Sequence, residues 1–301
     1  MTYRQVNRRP EHTSGLLLKG ILTNGLLLFW VVMPALAGTT NQIEQSRGDY
    51  SAVRKTSPPR SNKSKHATPV NLRPVFKKRG LSTRAQGRRG TCSVFTVTRA
   101  IEYALSEDEP LENRLSVEFL NWASDRVTGK NRDGSFFSDL WGGFERYGIC
   151  DESQMPYLSK FDPNRQPSPQ ALGHARRLRT AGLQMNWIKP WDPKRGLNEE
   201  QFAAVKETLR TGWPVCGGFL WPKNPTWTKE GVLQMAAREN VRDGHSVLLV
   251  GFRDDPVQPG GGVFLIQNTH KGRREGEMSY EYVRAYMNDA LWISRVDSGK
   301  R

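Results

Sequence analysis

The chain has 301 residues, of which 37% are hydrophobic, and carries a formal net charge of +15. That length and hydrophobic content exclude a wholly disordered polymer and support one large or two small packed units. Residues 1–90 hold 17 Lys and Arg against 3 Asp and Glu, whereas residues 91–301 hold 28 against 27, so the excess positive charge belongs to the N-terminal segment and argues against a nucleic-acid-binding function.

The first 37 residues have the layout of a secretory signal peptide. Basic residues precede an uninterrupted apolar run of 13 residues at 25–37, and Ala35 and Ala37 provide small residues before a cleavage point. Such a run is short for a bilayer span. We therefore expect a signal peptide over 1–37 and a secreted or periplasmic protein; the alternative is a membrane anchor formed by residues 15–37.

The next segment, residues 38–68, is rich in Ser, Thr, Pro and Lys and has few large apolar side chains. A segment of this composition cannot bury enough surface to fold. We expect a disordered basic linker here, followed by a folded domain over 69–301.

Within that domain, helices are predicted before strands. Residues 70–76 are expected to be extended, and residues 162–193, with five prolines, to be a connection. A Ser at 116 is placed as a helix N-cap, and Asn198 opens a helix that closes at Gly212. The other predicted helices span 92–106, 116–127 and 137–147.

Short β-rich segments follow at 213–221, 245–252 and 261–268, each bounded by Gly, Pro or Asp. Helices in the first half and strands in the second are typical of an α+β protein. Where a helical part meets a sheet, a cleft is expected.

Cys92 follows the Gly-rich turn QGRRGT and precedes apolar residues at helical spacing. It would then lie at the start of a buried helix, where unpaired backbone N–H groups favour a thiolate. The alternative is that Cys92 is a small buried apolar residue.

Three other residues supply the groups that a cysteine nucleophile needs. His245 opens one predicted strand and is suited to moving a proton near neutral pH. Asn268 closes another strand and can orient the imidazole, and Gln86 can donate a hydrogen bond to an oxyanion.

In this arrangement the sequence resembles the papain family of cysteine peptidases. QGRRGTCSVF matches the segment around the family's cysteine, DGHSVLLVGF its histidine motif and LIQNTH its asparagine motif, in the same order along the chain. The resemblance covers about residues 69–295 and implies a two-lobed α+β fold. A helical left lobe (about 86–190) and a β-barrel-like right lobe (about 191–295) would enclose the active-site cleft.

The resemblance also implies the residue roles. Cys92 would be the nucleophile that forms a thioester acyl-enzyme, and His245 would be the general acid and base. Asn268 would orient the imidazole, and Gln86 would donate a hydrogen bond to the oxyanion.

The resemblance also implies, by position, the substrate-binding residues Gly134, Ser135, Phe137, Gly218 and Asp243. A small Gly218 suggests room for a substrate side chain, and Asp243 suggests a preference for a basic one.

Some residues depart from the family pattern. Arg89 stands where many members have a disulfide cysteine, Val94 replaces an aromatic residue after the nucleophile, and His270 replaces a Trp that shields the His and Asn pair. The odd number of cysteines leaves one thiol over, and whether Cys150 and Cys216 pair stays open.

The sequence thus predicts an exported, monomeric cysteine peptidase acting on a peptide or protein, with no cofactor, no metal ion, no nucleic acid and no membrane contact after signal cleavage. Two alternatives remain. One is a catalytically silent papain-like module that binds peptide or protein, and the other is an acyltransferase or amidase that uses the same three residues.

Overall fold

The computed structural model describes residues 68–270 and 272–296, with the side chain of Asp243 left out. The predicted signal peptide, the linker up to residue 67 and the C-terminal residues 297–301 lie outside the described residues. The helices of the described part are α1 (Arg73–Lys78), α2 (Cys92–Leu105), α3 (Val117–Thr128), α4 (Phe137–Tyr147), α5 (Pro169–Arg179), α6 (Glu199–Arg210) and α7 (Tyr280–Tyr286). The strands are β1 (Val70–Asn71), β2 (Leu183–Lys189), β3 (Val215–Pro222), β4 (Val232–Leu233), β5 (Val241–Asp254), β6 (Gly262–Gln267), β7 (Glu275–Ser279) and β8 (Met287–Arg295).

The caps of two helices confirm the sequence signals that predicted them. Ser116 precedes α3 and its hydroxyl accepts a hydrogen bond from the backbone N–H of Phe119 at 2.9 Å. Asn198 and Gln201 form a reciprocal capping box at the start of α6. Each cap satisfies backbone N–H groups that have no partner inside the helix, so these ends are fixed by local sequence.

Helix α2 is buried along almost its whole length, with every residue from Cys92 to Ala104 inside the protein. It packs on β5, β8 and β3 on one side and on α3 and α4 on the other. A helix that is buried on all sides belongs in the centre of a domain, and its two charged residues, Arg99 and Glu102, have hydrogen-bond partners there. Its first residue is therefore held between the helical part and the sheet.

The strands form one sheet in the order β2-β8-β3-β5-β6-β7-β4, with β1 paired to β5. The pairings are antiparallel except for β4 with β7. In this register Gly218 of β3 pairs with Ser246 of β5 and Asp289 of β8, and Phe219 pairs with His245. The mixture of helices and one large sheet confirms the α+β class.

Two predictions about the connecting segments are wrong. Only Val70 and Asn71 of the segment predicted as extended form a strand, because Pro74 lies in the first turn of α1, where its missing N–H costs nothing. The stretch 162–193 is not a plain connection. It contains α5, which Ser168 caps, and β2, which pairs with β8.

The three cysteines are all free and buried. Cys216 lies in the main hydrophobic core, where its thiol donates to the backbone oxygen of Thr96, and Cys150 lies in a smaller cluster with Phe119 and Met155. The possible bridge between Cys150 and Cys216 is therefore absent. None of the helices in the described segment combines the length and hydropathy that a bilayer span requires.

Candidate active site

Cys92 is the first residue of α2 and only 7% of its surface is exposed. Its thiol donates to the backbone oxygen of Gly244, the residue before His245, at 3.7 Å. The N-terminus of the central helix thus places the sulfur against the strand that carries the histidine.

The thiol is neutral in this environment. Burial raises the pKa of Cys92, and hydrogen bonds from Ser246 and Ser93, together with the positive charge of Arg242, oppose that rise without cancelling it. Burial therefore opposes the thiolate that the helix N-terminus favours, because taking a charge out of water has a cost.

His245 and Asn268 are hydrogen-bonded to each other. His245 Nε2 and Asn268 Oδ1 are 3.0 Å apart, and Oδ1 also accepts from the backbone N–H groups of Thr269 and His270. Since these donors identify the amide oxygen, the proton of a neutral His245 lies on Nε2. Nδ1 keeps its lone pair and can accept a proton.

The imidazole is also neutral at rest. Burial lowers the pKa of His245 to about 4, with further lowering by the charges of Arg242 and His270, and the hydrogen bond to Asn268 opposes the change. At neutral pH the site therefore holds a thiol and a neutral imidazole.

Trp221 covers this imidazole. The ring centroids of Trp221 and His245 are 4.4 Å apart, and Trp221, on β3, is only 5% exposed. His270, which stands where the resembled family has a shielding Trp, is exposed, and its Nδ1 accepts from the backbone N–H of Gly272. The shielding aromatic ring thus comes from a neighbouring strand, at a position that the sequence analysis missed. Trp221 lies two residues beyond the partner of His245, within reach of a diagonal cross-strand contact.

Gln86 joins the loop before Cys92 to the segment after β6. Its amide nitrogen donates to the backbone oxygen of Arg89 at 2.7 Å, and its amide oxygen accepts from the hydroxyl of Thr269 at 2.5 Å. Its backbone N–H donates to the oxygen of Thr269 at 3.0 Å. Gln86 lies beside the residue that follows Asn268, and it is not among the residues that line the cleft.

A cleft of about 260 Å³ opens at Cys92 and His245. The predicted substrate-binding residues Gly134, Ser135, Phe137 and Gly218 all line it. The side chain of Asp243, the fifth of that set, lies outside the described residues.

The cleft also contains residues that the sequence analysis did not identify. Phe136 and Trp191 line it, are 43% and 45% exposed, and have ring centroids 5.2 Å apart.

Asp289 lines the cleft as well, and a Cβ added to Gly218 would lie 2.0 Å from the Asp289 carboxylate. The expectation that a small Gly218 leaves room for a substrate side chain is therefore wrong, because Asp289 occupies that space.

The described residues have the papain-like fold, which solved structures of cysteine proteases share over more than three quarters of this chain. Xylellain, a cysteine protease from Xylella fastidiosa, matches over 78% of this chain and 91% of its own with a TM-score of 0.60 and 20% identity. Digestive procathepsin L 3 of Tenebrio molitor matches over 79% of this chain and 73% of its own with a TM-score of 0.53 and 18% identity. The cysteine protease and lectin-like domains of Cwp84, a surface layer associated protein of Clostridium difficile, match over 79% of this chain and 54% of their own (TM-score 0.52, 19% identity). No protein-family model and no curated protein sequence matches the chain.

Proposed function

We propose that the protein is an exported cysteine peptidase that hydrolyses peptide bonds through Cys92, His245 and Asn268. The observation that carries the proposal is the shared cleft: Cys92 and His245 line it together, and Asn268 holds the far nitrogen of the imidazole at 3.0 Å. The structural neighbours are cysteine proteases, which supports the same chemistry.

The first step of the reaction starts from the neutral thiol of Cys92 and the neutral imidazole of His245. As Cys92 Sγ attacks the carbonyl carbon of the scissile bond, His245 Nδ1 takes the thiol proton and becomes an imidazolium that Asn268 keeps in plane. The proposed donors to the oxyanion are the backbone N–H of Cys92 and the second N–H of the Gln86 amide, the one that is not bonded to Arg89. Because Gln86 does not line the cleft in this structure, its side chain has to turn toward Cys92 to make that contact.

The remaining steps return the site to its starting state. Collapse of the tetrahedral intermediate breaks the C–N bond, and the leaving amine takes the proton from His245, which leaves a thioester on Cys92. Water then attacks the thioester while His245 accepts its proton, and the C–S bond breaks to release the carboxylic acid and a thiol that regains that proton.

The shape of the cleft favours an extended peptide as substrate. The turn at Gly134 and Ser135 offers backbone groups along one side, and the exposed rings of Phe136 and Trp191 offer an apolar surface for side chains. Exposed aromatic residues around a cleft are typical of a binding surface.

The test is the hydrolysis of a fluorogenic peptide library by the purified chain and by Cys92→Ala and His245→Ala. Each variant should lose at least about 1,000-fold in kcat/KM while remaining folded with a cooperative thermal transition, because each removes a group on which every covalent step depends. Cys150→Ala is the matched control, since it removes a free cysteine that lies in a separate cluster, and it should keep full activity.

The outcome separates the proposal from its alternatives. Hydrolysis by Cys92→Ala would contradict the mechanism. Tight peptide binding without turnover in the unmodified chain would indicate the silent binding module, and products joined to an added amine in preference to water would indicate an acyltransferase. Export is tested separately, by determining whether the N-terminus of the protein recovered outside the cell begins after Ala37.

A further inference from the structure

Arg89 lies three residues before Cys92, and only 3% of its side chain is exposed. All five N–H groups of its guanidinium have acceptors. Nε and Nη2 donate to Asp133 at 3.1 and 2.7 Å, Nη1 and Nη2 donate to Glu118 at 2.6 and 3.2 Å, and Nη1 also donates to the backbone oxygen of Leu158 at 3.0 Å. One side chain thus joins the loop before the nucleophile to α3, to the turn at 132–135 and to the segment after α4.

Tyr157 stacks against the Arg89 guanidinium and also bonds to the same loop. The Arg89 guanidinium carbon lies 4.5 Å from the centre of the Tyr157 ring. The Tyr157 hydroxyl donates to the backbone oxygen of Gln86 at 2.9 Å and lies 2.6 Å from the hydroxyl of Thr91. The loop 86–91 is therefore held at both ends as well as at its centre.

The turn at 132–135 packs directly on this loop. A Cβ added to Gly134 would lie 2.4 Å from the backbone oxygen of Gly90, so the two backbones touch, and Gly134 has a φ of +72°. The backbone N–H of Ser135 lies 3.3 Å from the hydroxyl of Ser93, the residue after the nucleophile. Asp133 stands immediately before this contact and is the charged link between the turn and Arg89.

A buried ion pair is a poor source of stability compared with apolar packing of the same volume, but its hydrogen bonds fix directions strongly. In this molecule the ion pairs orient two segments relative to each other: the loop that precedes Cys92 and the turn 132–135, which lines the cleft beside it. Arg89 itself does not line the cleft, whereas its partner Asp133 does. Its position therefore points to an effect on alignment.

We propose that Arg89 is a positioning residue that holds a peptide bound on the turn 132–135 at the attack distance from Cys92, through its ion pairs with Asp133 and Glu118. We call these three residues the arginine clamp. The inference rests on the proposed function and adds a residue that sets its geometry. Arg89 stands at the position where the resembled family has a disulfide cysteine. Because the arginine clamp contains no sulfur at position 89, reducing agents do not break it.

The first test compares Arg89→Lys and Asp133→Ala with the unmodified chain in two reactions at Cys92. Lys keeps the charge but loses the planar fork, and Asp133→Ala removes the link to the turn. Peptide hydrolysis should fall about 10- to 100-fold in kcat/KM in both variants, because a displacement of about 1 Å between bound peptide and nucleophile has an effect of this size. Alkylation by iodoacetamide, which does not need the turn, should stay within about twofold.

Arg114→Lys is the matched control. Arg114 also forms a fork on a buried carboxylate, Glu102, at 2.9 and 2.6 Å, but at the other end of α2. It should leave both reactions unchanged. Peptide hydrolysis within twofold of the unmodified chain in Arg89→Lys, or a parallel fall in alkylation, would overturn the positioning role.

A second readout keeps the inference independent of activity. Hydrogen exchange of the backbone amides at 132–135 should accelerate at least tenfold in both variants while the amides of α3 stay protected. If the unmodified chain hydrolyses no peptide, the proposed function fails and this exchange result still decides whether the clamp holds the turn. Unchanged exchange at 132–135 contradicts it.

Discussion

The two walls of the cleft are held in different ways. One wall consists of the loop 86–91, the start of α2 and the turn 132–135, and its central contact is the charged arginine clamp. The other wall carries His245 and Asn268 on β5 and after β6, and its central contacts are a neutral hydrogen bond and the ring of Trp221.

The difference follows from what each wall has to do. A charged hydrogen-bond network fixes backbone segments relative to each other, and within it each charge is neutralised by a directly bonded partner of opposite charge. A group that must gain and lose a proton needs neutral, well-ordered neighbours, because a fixed charge in direct contact would hold it in one protonation state. At the cleft, the buried ion pairs of Arg89 lie on the wall that positions the nucleophile, and the neutral His245–Asn268 pair lies on the wall that transfers protons.

The largest expected effect tests this contrast through stability. Arg89→Met leaves the buried carboxylate of Glu118 without its cation partner, so we expect the free energy of unfolding to fall by about 3 to 5 kcal/mol, the range for breaking a buried ion pair from one side. Asn268→Ala, on the neutral wall, leaves backbone and imidazole donors without their acceptor and should cost about 1 to 3 kcal/mol. Urea unfolding of both variants measures the two values, and equal losses would remove the distinction between the walls.

The next effect is a dependence of stability on pH that arises from the neutral wall. The folded-state pKa of His245 is about 4, below the value of about 6.5 expected in the unfolded chain, so on acidification the unfolded chain takes up this proton first. The stabilisation from neutral His245 is complete above pH 6.5, declines as the pH falls toward 4 and is constant below it.

The difference between these two pKa values corresponds to about 3 kcal/mol. Urea unfolding at several pH values, for the unmodified chain and for His245→Gln, isolates this contribution by subtraction. A difference curve that is flat between pH 4 and 6.5 would show that His245 is hydrated in the folded protein.

The smallest effect concerns the ring that covers His245. Trp221→Leu should admit water to the imidazole and raise its pKa by about one pH unit, which corresponds to about 1.4 kcal/mol. Proton NMR titration of the His245 ring measures this directly.

Trp227→Leu is the matched variant for that titration. Trp227 has its ring centroid 6.3 Å from that of Trp221 and is one aromatic ring further from the histidine, so its removal should leave the pKa of His245 in place. The same rise in both variants would assign the shielding to the aromatic cluster as a whole and not to Trp221.

The sequence predicted those parts of the fold that depend on neighbouring residues. The cap at Ser116 and the capping box opened by Asn198 act within one helical turn, and both stand in the structure as predicted. Helix α5 carries a similar signal, Ser168 followed by Pro169, but the prolines around it directed the prediction to a connection. Strand β2 has no strong local signal, since it depends on its pairing with β8 more than a hundred residues later.

For the site, the sequence supplied residue types and their order, and the structure supplied distances. Cys92, His245 and Asn268 were identified from motifs, and the hydrogen bond between His245 and Asn268 required the register of two strands. The roles of Arg89 and Trp221 were missed because their partners are distant in the chain: Arg89 reaches residues 29, 44 and 69 positions away.

By itself, the sequence determined the α+β class, the ends of the strongly capped helices and the set of residues able to carry cysteine chemistry, because these depend on local backbone preferences and side-chain chemistry. Only the tertiary structure decided that the thiol and imidazole are neutral at rest, that Asp289 fills the space beside Gly218 and that Arg89 links the nucleophile loop to the cleft. Burial and long-range contacts control these properties, and both arise only when segments far apart in the chain pack together.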